Sequence, residues 1–113
     1  MASEQTQQLL NQAQLYQQQI QGILTQKEAL NLQLKEIDKT LEEIEKTKET
    51  EMYKVSGAVL IKSSKTEIKK ELNEKKETMG LRLKTLEKSE KKVKAKIEEL
   101  RNRISRSSET GNN

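Results

Sequence analysis

The 113-residue chain has no cysteine, no histidine, no proline, no phenylalanine and no tryptophan. Without cysteine there are no disulfides and no thiol nucleophile. Without histidine there is no imidazole base, and nearly all zinc chemistry goes with the two together. Aromatic residues are only Tyr16 and Tyr53, so a base-stacking platform for nucleic acid is missing. No apolar run approaches the roughly 20 residues that span a bilayer. The start is glutamine-rich and almost uncharged, unlike a signal or transit peptide. These absences predict a soluble, intracellular protein with no cofactor, no metal, no membrane partner and no nucleic-acid partner.

What is present is polar: 31% of residues are apolar and 35% charged. Such a composition lacks the large side chains for a thick core and would ordinarily signal disorder. Heptad periodicity argues otherwise, because a coiled-coil seam needs only two apolar positions in seven. The net charge of +4 comes from Lys and Glu mixed along the chain, which reads as a solvated helical surface.

Two ladders carry the fold. The first runs Leu9, Ala13, Tyr16, Ile20, Ile23, Lys27, Leu30, Leu34, Ile37, Leu41, Ile44, and the second Leu72, Lys76, Met79, Leu83, Leu86, Glu90, Val93, Ile97, Leu100, Ile104. Steps of three and four alternate, the a/d spacing of a coiled coil. Folding the chain back at its middle pairs the ladders in one register: Leu41 with Leu72, Leu34 with Met79, Leu30 with Leu83, Ile20 with Val93, Leu9 with Ile104. The two residue numbers of every such pair sum to 113. The expected fold is therefore mainly α: a long antiparallel two-helix coiled coil, a thin rod, with helix 1 over 8–48, helix 2 over 64–106, a fraying start over 1–7 and a disordered tail over 107–113.

Between the arms, Met52 to Val55 and Ala58 to Lys62 flank Ser56-Gly57. Tyr, Val and Ile favour strands, and Gly supplies the positive φ of a tight turn. This predicts a β-hairpin over 52–62. A lone hairpin is marginal and its edges invite pairing with another chain, so Tyr53, Val55, Val59, Leu60 and Ile61 are the expected assembly residues. Ser64 followed by Glu67 has the spacing of a capping box and marks the start of helix 2.

Some residues break the pattern. Gly22 and Gly80 fall inside helices but off the seam. Lys27 and Glu90 are polar rungs in neighbouring layers. They either meet and fix the register or extend separately to solvent. Leu10, Leu15 and Leu24 lie outside the first ladder. The free end of the rod, with a small Ala13 and an amphipathic Tyr16 in its seam, is expected to close loosely. Leu9, Leu10, Ala13, Leu15, Tyr16, Leu100 and Ile104 are then a contact surface. No Gly-rich phosphate loop occurs, and the carboxylates sit opposite Lys on exposed faces, so the chain does not read as an enzyme. A structural coiled-coil adaptor that binds partner helices is the alternative reading.

The hairpin Tyr53-Lys54-Val55-Ser56-Gly57-Ala58-Val59-Leu60-Ile61-Lys62, the stretch Lys76 to Lys88 and the start Tyr16-Gln17-Gln18-Gln19-Ile20-Gln21 together resemble the β-class subunits of prefoldin, closest to the archaeal form. The resemblance spans about residues 8 to 106. It implies an ATP-independent chaperone subunit that assembles with α-class prefoldin subunits and other β subunits into an α2β4 hexamer. Hairpins of several subunits would close into β-barrels. The coiled coils would hang from that platform, hold unfolded client proteins at their tips, and pass them to a group II chaperonin in the cytoplasm.

Overall fold

The computed structural model describes residues 3–111, with side chains described to residue 106. Its elements are α1 (Glu4–Lys46), β1 (Glu51–Ser56), β2 (Val59–Ser64) and α2 (Lys65–Gly111). The chain divides into two compact units. The hairpin unit is Ala29–Leu83, and the terminal unit combines Met1–Glu28 with Lys84–Asn113.

The first ladder is the buried stripe of α1. Each of its eleven positions from Leu9 to Ile44 is buried or half-buried, and every other residue from Gln7 to Lys46 is exposed. Each position of the second ladder is likewise buried or half-buried, except Lys76, which is exposed. Ile68, one turn before Leu72, is half-buried in the same phase, so the ladder starts earlier than the sequence reading had it. Polar pairs between α1 and α2 give the pairing direction within each unit. In the hairpin unit, Lys69 pairs with Glu45 and Lys76 Nζ lies 2.6 Å from Asp38 Oδ1. In the terminal unit, Lys96 lies over the Tyr16 ring and Lys27 meets Glu90. The residue numbers of each pair sum to within four of 113, which is the antiparallel register read from the ladders.

Both helices run further outward than expected. Helix α1 begins at Glu4, because the Ser3 hydroxyl accepts the Thr6 N–H at 3.0 Å and the Ser3 carbonyl accepts the Gln7 N–H at 2.9 Å. This is an N-cap, reinforced by the acidic Glu4 in the first turn. Ser3 was its sequence signal. Helix α2 continues to Gly111, past the end expected at Arg106. Nothing between Arg106 and Gly111 removes a backbone donor, so the helical hydrogen bonds continue through this stretch. The last two residues of the expected tail, 112 and 113, lie outside the described residues.

The corner between α1 and the hairpin is tied by Lys65. Its backbone N–H donates to the Thr50 carbonyl and its Nζ to the Thr47 carbonyl, both at 2.9 Å. The ammonium thus meets a carbonyl just past the end of α1, where a cation is favoured. Ser64 Oγ accepts the Glu67 N–H at 3.1 Å, as the capping spacing predicted. The strands pair antiparallel with Val55 opposite Leu60 and Ser56 opposite Val59. The turn is therefore Gly57-Ala58, one residue later than Ser56-Gly57. Gly57 has φ +61° and is the first central residue of the turn. Positive φ at that position alone is the type II′ pattern, whose twist suits a hairpin.

The polar rungs meet. Lys27 Nζ lies 2.6 Å from Glu90 Oε1, and Lys94 Nζ lies 3.0 Å from Glu90 Oε2. Glu90 is buried, so its two oxygens are each partnered by an ammonium. The hydrogen bond from Lys27, then that from Lys94, hold the Glu90 carboxyl below its ordinary value against the opposing effect of desolvation. The same hydrogen bond holds Lys27 above its ordinary value. Among the described residues, no buried side-chain polar atom lacks a hydrogen-bond partner.

Two outcomes follow. Because the folded Glu90 titrates below 4.5, its contribution is present above that pH and is lost as pH falls through the lower folded value. Because the folded Lys27 titrates above 10.5, its share is lost only as pH rises through that higher value. Glu90→Gln should therefore melt below the parent at pH 7, and the gap should shrink as both are taken well below pH 4.5. Thermal melts by circular dichroism across pH measure this, and a gap that persists unchanged in acid would contradict it. Gly80 is half-buried beside the seam, yet a Cβ built on it meets nothing within 4 Å. Gly80→Ala should stabilise the chain by about 1 kcal/mol, read as a raised denaturant midpoint.

Candidate functional site

Two surfaces stand out once the seam is closed. The first is the hairpin. Alternation along each strand and the pairing of Val55 with Leu60 put Tyr53, Val55 and Leu60 on one face. Val59 and Ile61 share the other with Met52, Lys54 and Ser63. The five expected assembly residues thus divide between two faces, and Val55 does not share a face with Val59 and Ile61. The cause is the two-residue turn, which sets odd positions of β1 beside even positions of β2. On the second face Met52, Lys54 and Ser63 are half-buried, and Lys54 Nζ reaches Glu71 Oε1 of α2 at 3.0 Å. On the first face nothing covers the apolar side chains, and Val55 is 75% exposed. Three apolar side chains on one face of a two-stranded sheet are more than such a sheet can shelter by itself.

The second surface belongs to the terminal unit. Of the seven residues named there from the sequence, Leu9 and Leu100 are buried, at 7% and 3% exposure. Ala13, Tyr16 and Ile104 are half-buried, whereas Leu10 and Leu15 are exposed at 42% and 59%. The seam therefore closes here as fully as at Leu30 and Ile37, each 7% exposed, and the expected looseness is absent. The physical reason lies at Ala13 and Tyr16. A small side chain leaves room for the helices to approach, and Tyr16 is engaged at its ring and at its hydroxyl. Lys96 Nζ sits 5.9 Å from its centroid, and Gln12 Nε2 donates to its hydroxyl at 3.2 Å. The apolar surface that remains is Leu10, Leu15 and Leu24, all off the seam and exposed. A shallow groove along α1 is lined by Gln7, Leu10, Ala13, Gln14 and Gln17, among others.

Two further exposed leucines, Leu32 and Leu81 in the hairpin unit, were not singled out from the sequence. Heptad phase was the available signal, since both fall at the position furthest from the seam. Lys96 was also missed, because nothing in a Lys-rich helix marks one lysine as a ring partner. Among the described residues no cluster of His, Cys, Asp or Glu is placed to hold a metal ion, and no helix is long and apolar enough to cross a membrane.

Comparison with known proteins gives this arrangement a family. Residues 7–108 match the family described as prefoldin subunit. Prefoldin subunit beta of Thermococcus onnurineus is 45% identical over 101 residues, covering 88% of this chain and 87% of its own. Prefoldin subunit beta of Archaeoglobus fulgidus is 39% identical over the same length, covering 88% and 87%. The crystal structure of the prefoldin beta subunit from Thermococcus strain KS-1 superposes with a TM-score of 0.87 at 38% identity, over 95% of both chains. With this fold, hairpin and coverage, the chain belongs to the prefoldin family of non-enzymatic chaperone subunits, in its beta class.

Proposed function

We propose that this chain is the β subunit of an α2β4 prefoldin hexamer, a cytoplasmic holdase that keeps non-native proteins soluble without nucleotide and delivers them to a group II chaperonin. The observation that carries this reading is the pair of uncovered apolar surfaces on a chain whose seam is otherwise closed. The hairpin surface, Tyr53, Val55 and Leu60 with Val59 and Ile61, serves assembly. Its backbone edges are unpaired, and another subunit's strand supplies both the missing hydrogen bonds and a cover for the apolar face. The terminal surface serves clients. An unfolded chain exposes apolar groups of no fixed shape, and shallow leucines bury some of that area at roughly 25 cal/mol per Å². One such contact is weak. Several terminal units on one platform raise one another's effective concentration, so holding is multivalent while each contact stays releasable.

Within the terminal set the difference in burial supports a division into two roles. Leu10 and Leu15 are presented to solvent and make direct contact with clients. Leu9 and Leu100 are seam residues that keep the two helices together beneath that surface, with Ala13, Tyr16 and Ile104 at its margin.

Assembly is tested by Val55→Asp with Leu60→Asp. The double variant should keep its helical circular dichroism and fail to form a hexamer when mixed with an α-class prefoldin subunit, measured as mass by light scattering. A hexamer of unchanged mass would place the platform elsewhere. Holding is tested by Leu10→Ser with Leu15→Ser. Exposed substitutions leave stability within about 0.5 kcal/mol, so melting should be unmoved. Suppression of aggregation of a denatured client should need several-fold more protein. Leu9→Ser with Leu100→Ser should instead lower the melting temperature. An adaptor that only binds partner helices would show no holding activity in any of these proteins.

A further inference from the structure

The outer face of α1 changes its chemistry partway along. From Gln5 to Gln26 there are ten glutamines and no charged residue. Heptad phase gathers much of this chemistry into one line. The outer positions b and f of successive heptads carry Gln7, Asn11, Gln14, Gln18, Gln21 and Thr25, every one exposed. Further along the helix the same positions carry Glu28, Leu32, Lys35, Lys39, Glu42 and Lys46. Opposite charges three or four residues apart support a solvated helix, and Glu42 has that spacing to Lys39 and to Lys46. The uncharged stretch forgoes this support.

The amides are flanked by the three leucines left off the seam. Leu10 and Leu24 run along one side of the line and Leu15 lies on the other, all exposed. Gln7, Asn11, Gln14 and Gln18 join Leu10 in lining the shallow groove of this surface. Gln7 Nε2 donates to Asn11 Oδ1 at 3.3 Å, whereas Gln14, Gln18 and Gln21 bond to none of the described residues. Each of these side chains offers donors and an acceptor with no net charge. At about 1.5 Å of rise per residue, steps of three and four set neighbouring amides about 4.5 to 6 Å apart. An extended polypeptide turns an N–H and a C=O to the same edge about every 6 to 7 Å. Flexible glutamine side chains span the difference.

We propose that this line of amides holds the main chain of extended non-native segments. The glutamines donate to peptide carbonyls and accept peptide N–H groups, and Leu10, Leu15 and Leu24 take up apolar side chains beside them. Peptide groups are common to all unfolded chains, and in folded ones they are already paired. A neutral surface that both donates and accepts therefore favours non-native chains without selecting a sequence. Fixed charges at the same positions would attract some clients and repel others. The inference rests on the holding role proposed above and adds what that surface recognises: backbone first, side-chain identity second.

The test uses the full-length chain and two fluorescent peptides with the same apolar side chains. One has ordinary peptide bonds, and the other has ester links in place of every second peptide bond. An ester has no N–H to donate. Each lost hydrogen bond changes affinity a few-fold, so the ester peptide should bind roughly tenfold more weakly by fluorescence anisotropy. Because no charge is involved, that gap should be the same at low and high salt. Gln14→Ala with Gln18→Ala and Gln21→Ala keeps a good helix former at each position. This triple variant should bring the ordinary peptide down to the affinity of the ester peptide, and Leu10→Ser with Leu24→Ser should weaken both alike. The comparison on the unaltered chain needs no substitution, so it stands even where a variant folds poorly. Equal binding of the two peptides overturns backbone recognition while leaving holding intact. A gap that survives the triple variant puts the responsible groups elsewhere and overturns it too. Binding of neither peptide removes the holding surface itself and the recognition with it. A mass by light scattering that rises with concentration for the parent, and not for the triple variant, would mean that a second copy of the chain covers this line, and would overturn the proposal.

Discussion

Everything in this protein depends on a seam one residue wide on each helix. With two apolar positions in seven and no Phe or Trp, there is no second layer of core to fall back on. The stability of each unit is the sum of small burials, each a Leu, Ile, Val, Ala or Met facing one or two neighbours. A thin seam also has little to spare for anything else. Side chains that cannot enter it remain outside, and in this chain those excluded apolar residues form the surfaces proposed for assembly and for client contact. The hairpin strands and the leucines at positions 10, 15 and 24 are exposed for the same reason that the rest of the surface is charged.

The hairpin shows the constraint most sharply. Its turn is well determined: a glycine with positive φ, a two-residue loop, and a lysine anchored at the far side of the hairpin by bonds to Thr47 and Thr50. Its faces are not satisfied in the same way. One leans on α2 through Lys54 and Glu71, and the other carries Tyr53, Val55 and Leu60 uncovered. A locally rigid element with an unsatisfied face has a built-in requirement for partners. The reading of the chain as one subunit among several draws its support from this contrast.

The seam was legible because periodicity reports burial directly. All eleven rungs of α1 sit where the three-four alternation places them, and no other residue between Gln7 and Lys46 is covered. The register was legible because two ladders had to satisfy one pairing. The ends were harder. Ser3 caps α1 earlier than expected, because a single capping serine is a weak signal beside a Gln-rich stretch. The apolar end was misread in a more instructive way. Ala13 and Tyr16 look like gaps in a ladder of leucines, yet a small residue brings the helices closer and the tyrosine ring is held by Lys96 and Gln12. Such three-dimensional compensation leaves no trace in one-dimensional spacing. The division of the hairpin into two faces follows from parity, since a two-residue turn sets odd positions of β1 beside even positions of β2 whether it begins at Ser56 or at Gly57.

The buried carboxylate of Glu90 between two ammonium groups has a kinetic meaning. From Ile20 to Ile44 the apolar rungs of α1 are all Leu or Ile, so a chain folding back on itself meets several alignments that fill this part of the seam almost equally well. A slip by one heptad would leave the leucines and isoleucines content. It would also set Lys27 and Glu90 against apolar layers, with Lys27 parted from Glu90 and Glu90 left with Lys94 of its own helix alone, a costlier error than a misplaced methyl group. The pair therefore acts during the search for the native alignment as much as in the finished molecule. It rejects the near-misses that a repetitive, featureless ladder would otherwise tolerate.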